Sequence, residues 1–353
     1  MYKRIFLLRF ALIGFVGLGI NACSEKEDFS NFQNNTVEPI NIGLVYRESS
    51  LRNQEIAFAV YDDQSNEIVD NITFYVDGSP INGRVFSSDV EGTFSVYAEY
   101  EDQGVLSTTD TGNFTVVIPT KNVLVEDYTG TWCGYCPAVS AAVDAVQGLT
   151  ESISIVALHN GDDLSLAIEP QIREGLGIPS GSPRARIDRT IVWGLGTPPE
   201  FPTEDVLSLA GIESALAIGL ESSVSDRSLS VMVSVASEQA MSDLKLVVYL
   251  TEDGLLRDQT NYYDNDDTSP YFGQGNPMID FEQKHVLRAA LTDAIGDPIP
   301  ATNALTDYTA QLNYNIPADF DIDQLELVVM VVDQNNLAIN TQHASIGEKV
   351  SYR

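Results

Sequence analysis

The chain has 353 residues, 44% of them hydrophobic, with 19 basic and 51 acidic side chains and a formal net charge of -32. That length can bury core for two or three domains, and the acidic balance argues against nucleic acid as a partner, because phosphate neutralisation needs a basic surface. Only three cysteines are present, which excludes a fold stapled by several disulfides; the cores must hold the body together.

Lys3, Arg4 and Arg9 accompany an apolar stretch around residues 11–20, and small Ala22 stands before Cys23. This is the arrangement of an export signal. Ile20-Asn21-Ala22-Cys23 resembles the lipobox of bacterial lipoproteins, which implies cleavage before Cys23, lipidation of its thiol and a lipid anchor in the membrane. An uncleaved membrane anchor is the competing reading, since the apolar run is almost long enough to span. Ser24, Glu25, Lys26, Glu27 and Asp28 resemble the acidic signal that sends lipoproteins of Bacteroidota to the outer face of the outer membrane, with a plain solvated tether as the alternative. The expected location is the outer membrane, lipid-anchored, facing either the periplasm or the cell surface. Residues 1–22 are read as signal peptide and 23–38 as tether.

Residues 39–120 alternate. Apolar, β-branched and aromatic runs at 56–61, 72–76, 94–98 and 114–118 are separated by Asp77-Gly78, Asn82-Gly83 and Glu91-Gly92, so a small β-sandwich of the immunoglobulin-like kind is expected. From Lys121 the pattern changes. An apolar strand from Val123, a helix over 137–147 with Val139, Ala142, Val143 and Val146 on one face, and an apolar run at 153–158 argue for a parallel α/β unit. A helical stretch near 166–175, a strand at 185–188 and a capped helix over about 203–218 complete a domain at 121–218. Alternation then returns at 229–235, 244–250, 308–314 and 325–332, giving a second β-sandwich over 219–353. The expected fold is therefore α+β and multidomain: an immunoglobulin-like β-sandwich, a central parallel α/β domain and a C-terminal β-sandwich.

Trp132-Cys133-Gly134-Tyr135-Cys136-Pro137 carries chemistry by itself. Two cysteines separated by two residues close a small ring, and at a helix start the first thiol meets the positive end of the helix dipole, which lowers its pKa. Cys133 is expected to be an exposed attacking thiolate and Cys136 the resolving thiol. Pro137, at the start of the helix, costs no hydrogen bond there. A structural disulfide is the bland alternative. Zinc would need further ligands, whereas His159, His285 and His343 are scattered; attached haem would need His in place of Pro137. No metal and no cofactor are expected. His159 and His285 read as structural, and the acidic run Asp264-Asn265-Asp266-Asp267 as a solvated loop rather than a calcium site, lacking the spacing of an EF-hand.

The stretch from Val125 to Cys133 resembles the strand and turn that enter the dithiol of thioredoxins. The resemblance implies that Asp127 is a buried acid relaying protons to Cys136, with Glu126 competing for that role. It also implies a cis-proline beside the dithiol. Pro179 and Pro183 compete for it, and Pro183 is chosen because it directly precedes the expected strand. Ser182 would then face the Cys133 thiolate with Arg184 nearby, and Trp132 would cover the dithiol beside a substrate groove.

Taken together, the lipobox, the β-module, the dithiol segment and the string His285-Val286-Leu287-Arg288-Ala289 resemble the outer-membrane-protein-twenty-eight family of Bacteroidota over about residues 121–353. That resemblance implies location and architecture more than activity. Two functions stay open: a thiol–disulfide oxidoreductase acting on disulfide-containing exported proteins or on a redox partner protein, or a non-catalytic surface binding and adhesion lipoprotein that uses the thioredoxin-like domain as a scaffold.

Overall fold

The computed structural model describes residues 43–102 and 105–353; the expected signal peptide, lipidated Cys23 and tether lie outside the described residues. In the N-terminal module, Ser49–Leu51, Gly112–Val117, Gly92–Asp102 and Ile72–Val76 lie side by side in that order. Their alternation turns Phe74, Val96 and Phe114 inward, and Phe58 completes the aromatic core, its ring centroid 5.7 Å from that of Phe74 and 5.6 Å from that of Phe114. The run at 56–61 breaks at Phe58: Ile56–Ala57 pairs with Val85–Phe86, whereas Ala59–Tyr61 pairs with Gly43–Val45. Phe114→Ala should cost about 3–5 kcal/mol of stability, measured by urea unfolding, because its neighbours cannot close over the void. A loss below about 1 kcal/mol would show that this core tolerates a cavity.

Past the module the elements are numbered afresh. They are β1 (Val123–Thr129), α1 (Pro137–Gln147), β2 (Ile153–His159), α2 (Glu169–Gly175), β3 (Arg184–Ile187), β4 (Ile191–Trp193) and α3 (Thr203–Leu207). There follow β5 (Leu216–Ser225), β6 (Ser228–Ser237), β7 (Leu244–Glu252), β8 (Leu255–Gln259), β9 (Met278–Gln283) and β10 (Val286–Ala290). The last are β11 (Asp297–Ile299), β12 (Tyr308–Asn315), β13 (Leu325–Val332), β14 (Ala338–Ser345) and β15 (Lys349–Val350).

One mixed sheet of nine strands organises this body, in the order β4-β3-β1-β2-β10-β7-β13-β14 with β11 also on β7. β1 and β2 are parallel and joined through α1; β3 returns antiparallel to β1. The sheet runs across residue 218, because β10 joins the edge of β2 in parallel at Ala157 and Val286. All seven residues of β1 and of β2 are buried, as strands covered on both faces must be. Val123, Val125 and Ile155 face α1 and α3, packing on Val139, Val143 and Val206. Leu124, Tyr128, Val156 and Leu158 face the other way, onto Ile172 of α2 and onto Val247, Tyr249 and Val328.

β7 and β13 divide their side chains between two cores by the period of two. Val247, Tyr249, Val328 and Met330 join the core under α2, while Leu246, Val248, Leu327 and Val329 meet a second sheet, β12-β6-β5-β15. The helix expected over about 203–218 is shorter than its pattern: α3 ends at Leu207, Gly211 turns with φ +73°, and Leu216 to Ile218 are buried strand residues. Pairing won over helical periodicity, since Lys121 N donates to Ile212 O (2.8 Å) and Gly211 N to Lys121 O (2.9 Å).

Candidate functional site

The cysteines sit where β1 turns into α1. Cys133 N donates to Gly130 O (3.0 Å) and Cys136 N to Cys133 O (3.2 Å), winding the chain into the helix, and Pro137 takes the first helical position. Cys133 and Cys136 form a disulfide of 2.08 Å with Cα atoms 5.4 Å apart. Both cysteines are buried, at 3% and 2% exposure, which corrects the expectation of an exposed Cys133. The cause is the segment after β8: Thr260 N donates to Thr131 O (2.8 Å) and Tyr262 N to Gly134 O (2.9 Å). Gln259 Nε2 donates to Cys133 O (2.9 Å) as well.

Asp127 lies near the C-terminal end of β1, on the same side of the strand as Val123 and Val125 and hence on the face that carries α1. Burial pushes its carboxyl up to about 8, outweighing the lowering hydrogen bond from Thr129, and Oδ1 has no hydrogen-bond partner. Asp127 lines a cavity of about 390 Å³ between the sheet, α1 and the β8–β9 hairpin, with Ser140, Asp144, Tyr271, Phe281 and His285 around it. Glu126 points to the opposite face. There its carboxylate is fully buried, accepts from Tyr128 Oη (2.9 Å) and pairs with Arg189 Nε (3.2 Å).

Trp132 is 45% exposed, and its Nε1 donates to Asn160 O (2.7 Å), holding the ring across Gly130 and Gly161. His159 Nδ1 bonds Asp162 Oδ2 (2.8 Å), and the same carboxylate oxygen accepts Thr131 N (2.9 Å), which ties the end of β2 to the cysteine loop. The Ser182–Pro183 bond is cis, and Pro183 immediately precedes β3. Ser182 Oγ is buried with no hydrogen-bond partner, while the exposed Arg184 donates from Nη1 to Pro183 O (3.2 Å). The structure thus gathers Asp127, Trp132, Cys133 and Cys136 at one end of β1 and α1. In the acidic loop, Asp264 Oδ1 accepts Gly275 N (2.6 Å) and Asp266 Oδ1 accepts Thr268 N (3.0 Å), so both carboxylates are turned onto their own backbone.

Gln259 and Tyr262 are the site residues that sequence reasoning missed. They meet the cysteine loop from more than a hundred positions downstream, and the only hint was a pair of tyrosines, Tyr262 and Tyr263, heading a polar loop.

Fold and site define a mostly β, multi-sheet protein with one mixed sheet flanked by helices and a CxxC-spaced cysteine pair at a strand-to-helix turn. Residues 178–350 match the family model described as Outer membrane protein Omp28, so this segment is similar to that outer membrane protein family. The dithiol lies before the matched residues. HBP35 of Porphyromonas gingivalis has a similar fold, with a TM-score of 0.51 at 19% identity over 64% of this chain and 76% of that one. A beta-glucosidase from Kluyveromyces marxianus aligns over 92% of this chain and 47% of its own with 9% identity, but its TM-score of 0.20 carries no structural argument. No curated protein matches the chain.

Proposed function

We propose that the chain is an outer-membrane lipoprotein, anchored through Cys23, with thiol–disulfide oxidoreductase activity in a thioredoxin-like region. In this reading residues 39–120 form an immunoglobulin-like module, 121–218 the thioredoxin-like region and 219–353 a β-sandwich whose strands extend the central sheet. The observation that carries it is the disulfide at the start of α1, with the unpaired acid Asp127 on the α1 side of β1. The order β2-β1-β3-β4, with α1 and α3 on one face and α2 on the other, adds support.

In the reduced state the Cys133 thiolate attacks a substrate disulfide, forming a mixed disulfide and releasing one substrate thiolate. Cys136, giving its proton to Asp127 in its ionised form, then attacks Cys133 Sγ; the intramolecular disulfide closes, the bond to the substrate breaks and the second substrate sulfur leaves as a thiolate that takes the proton back from Asp127. Trp132, Ser182 and Pro183 would flank the substrate strand. A dithiol partner of the same compartment must return two electrons and two protons for the next cycle.

The test is equilibration of the full chain carrying Cys23→Ser with glutathione until no further change occurs, followed by reduction of insulin. A pair that exchanges reversibly in the folded protein is expected, with a value near about -270 mV marking a reductant and one near about -120 mV an oxidant. Cys133→Ser should abolish insulin reduction. A pair that never equilibrates while the protein stays folded would favour the surface-binding scaffold, a reading to which the burial of both cysteines lends some weight.

A further inference from the structure

Thiol–disulfide exchange needs an incoming thiolate in line with the S–S bond. Residues 259–263 lie against the cysteine loop, and both cysteines are buried. Thr260 and Tyr262, two positions apart, donate their backbone N–H groups to the carbonyls of Thr131 (2.8 Å) and Gly134 (2.9 Å), where the chain leaves β8 and enters a turn. Between them Asn261 is fully buried and turned away, donating from Nδ2 to Tyr271 O (3.1 Å) and Gly275 O (3.0 Å). The Tyr262 ring lies on Gly134, where a Cβ would stand 2.4 Å from it. Tyr135 is edge-on to the rings of Tyr262 (5.1 Å) and Tyr263 (5.8 Å).

We propose that residues 259–263 are an autoinhibitory strap occupying the peptide-binding face of the dithiol, so that exchange proceeds only after the strap lifts. The proposal rests on the reading of Cys133 and Cys136 as an exchanging pair, and it names what displaces the strap. The displacer is an extended peptide segment next to a disulfide, donating alternate N–H groups to the Thr131 and Gly134 carbonyls.

The hairpin is suited to such a movement. The cavity of about 390 Å³ lies beneath it, and two of its ties are surface ion pairs, Arg257–Asp163 (2.7 Å) and Lys284–Asp144 (3.2 Å). Ion pairs of that kind contribute little. Tyr262 is itself 58% exposed, so little burial of its ring opposes release, whereas Gln259, Asn261 and Tyr263 are buried and set the cost of lifting the strap.

Stopped-flow reduction of the oxidised full chain carrying Cys23→Ser, over rising dithiothreitol, tests the strap. Each dithiothreitol gives up two electrons and two protons as it closes to its cyclic disulfide, and Cys133 and Cys136 take them up as thiols. A gated pair should show a rate that levels off at the opening rate. Tyr262→Ala should raise that plateau by roughly tenfold, the worth of one such ring contact, while the melting temperature falls by only a few degrees. Gly134→Ala, which wedges the ring from the other side, should raise it too. A wild-type rate linear in reductant and matched by Tyr262→Ala would overturn the strap, even if the protein reduces insulin. Fast, unsaturated reduction in Tyr262→Ala beside a saturating wild type would uphold the strap, even if neither protein reduces insulin and the oxidoreductase reading falls.

Discussion

Arg189→Met should lower the unfolding free energy by about 3–5 kcal/mol, read from the urea midpoint at constant slope. Arg189 is fully buried in the turn between β3 and β4, with φ +69°, a backbone region that side chains other than glycine adopt at a cost. Its Nε pairs with Glu126 (3.2 Å) and its Nη2 donates to Tyr249 Oη (3.0 Å). Removing the cation leaves a carboxylate inside the sheet with one phenol hydroxyl for company. The loss comes from that stranded charge rather than from the strength of the pair, so Glu126→Gln added to Arg189→Met should recover much of it. A single variant within about 1 kcal/mol of the wild type would show that water or another cation reaches Glu126.

Asp127→Asn should remove a pH dependence that the wild type carries. The folded protein holds the Asp127 proton up to about pH 8, whereas the unfolded chain releases it near the ordinary aspartate value of about 4. Between those values the native state binds more protons, so stability falls as pH rises. The contribution is complete below about pH 4 and gone once pH passes the folded value, with a steepest slope of about 1.4 kcal/mol per pH unit. Glu326, raised to about 7 by burial, acts in the same direction and stays in the variant, so the difference between the two proteins isolates Asp127. The rate of mixed-disulfide resolution should also show an inflection near pH 8 that disappears in Asp127→Asn. Parallel stability profiles for the two proteins over pH 4–8 would mean that Asp127 titrates as an ordinary surface acid.

Much of the site's scaffold could be read from local pattern. Pro137 marks a helix start, and Val139, Val143 and Val146 repeat at helical spacing, so α1 was legible to the residue. The apolar start of β1 at 123–125 and the run of β2 at 153–158 announced buried strands of an α/β unit. Parity separated Glu126 from Asp127, but which face would receive α1 is set by the handedness of the crossover and by tertiary packing. Nothing in the local pattern singles out Arg189, since its partners Glu126 and Tyr249 are 63 and 60 positions away. The strap was illegible for the same reason. Its bonds to Thr131 and Gly134 are long-range backbone contacts, which leave no trace in side-chain periodicity.

Because β7 and β13 give one set of side chains to each of two cores, the dithiol region does not own all of its interior. Cutting the chain near residue 218 would strip Leu124, Tyr128, Val156 and Leu158 of their neighbours Val247, Tyr249 and Val328. It would also leave the rim of β2 without β10 and take from Arg189 its tyrosine. A gene fragment ending there encodes an oily, half-finished slab. Apart from the β8–β9 hairpin, the stretch from β1 to β14 therefore folds only as one piece.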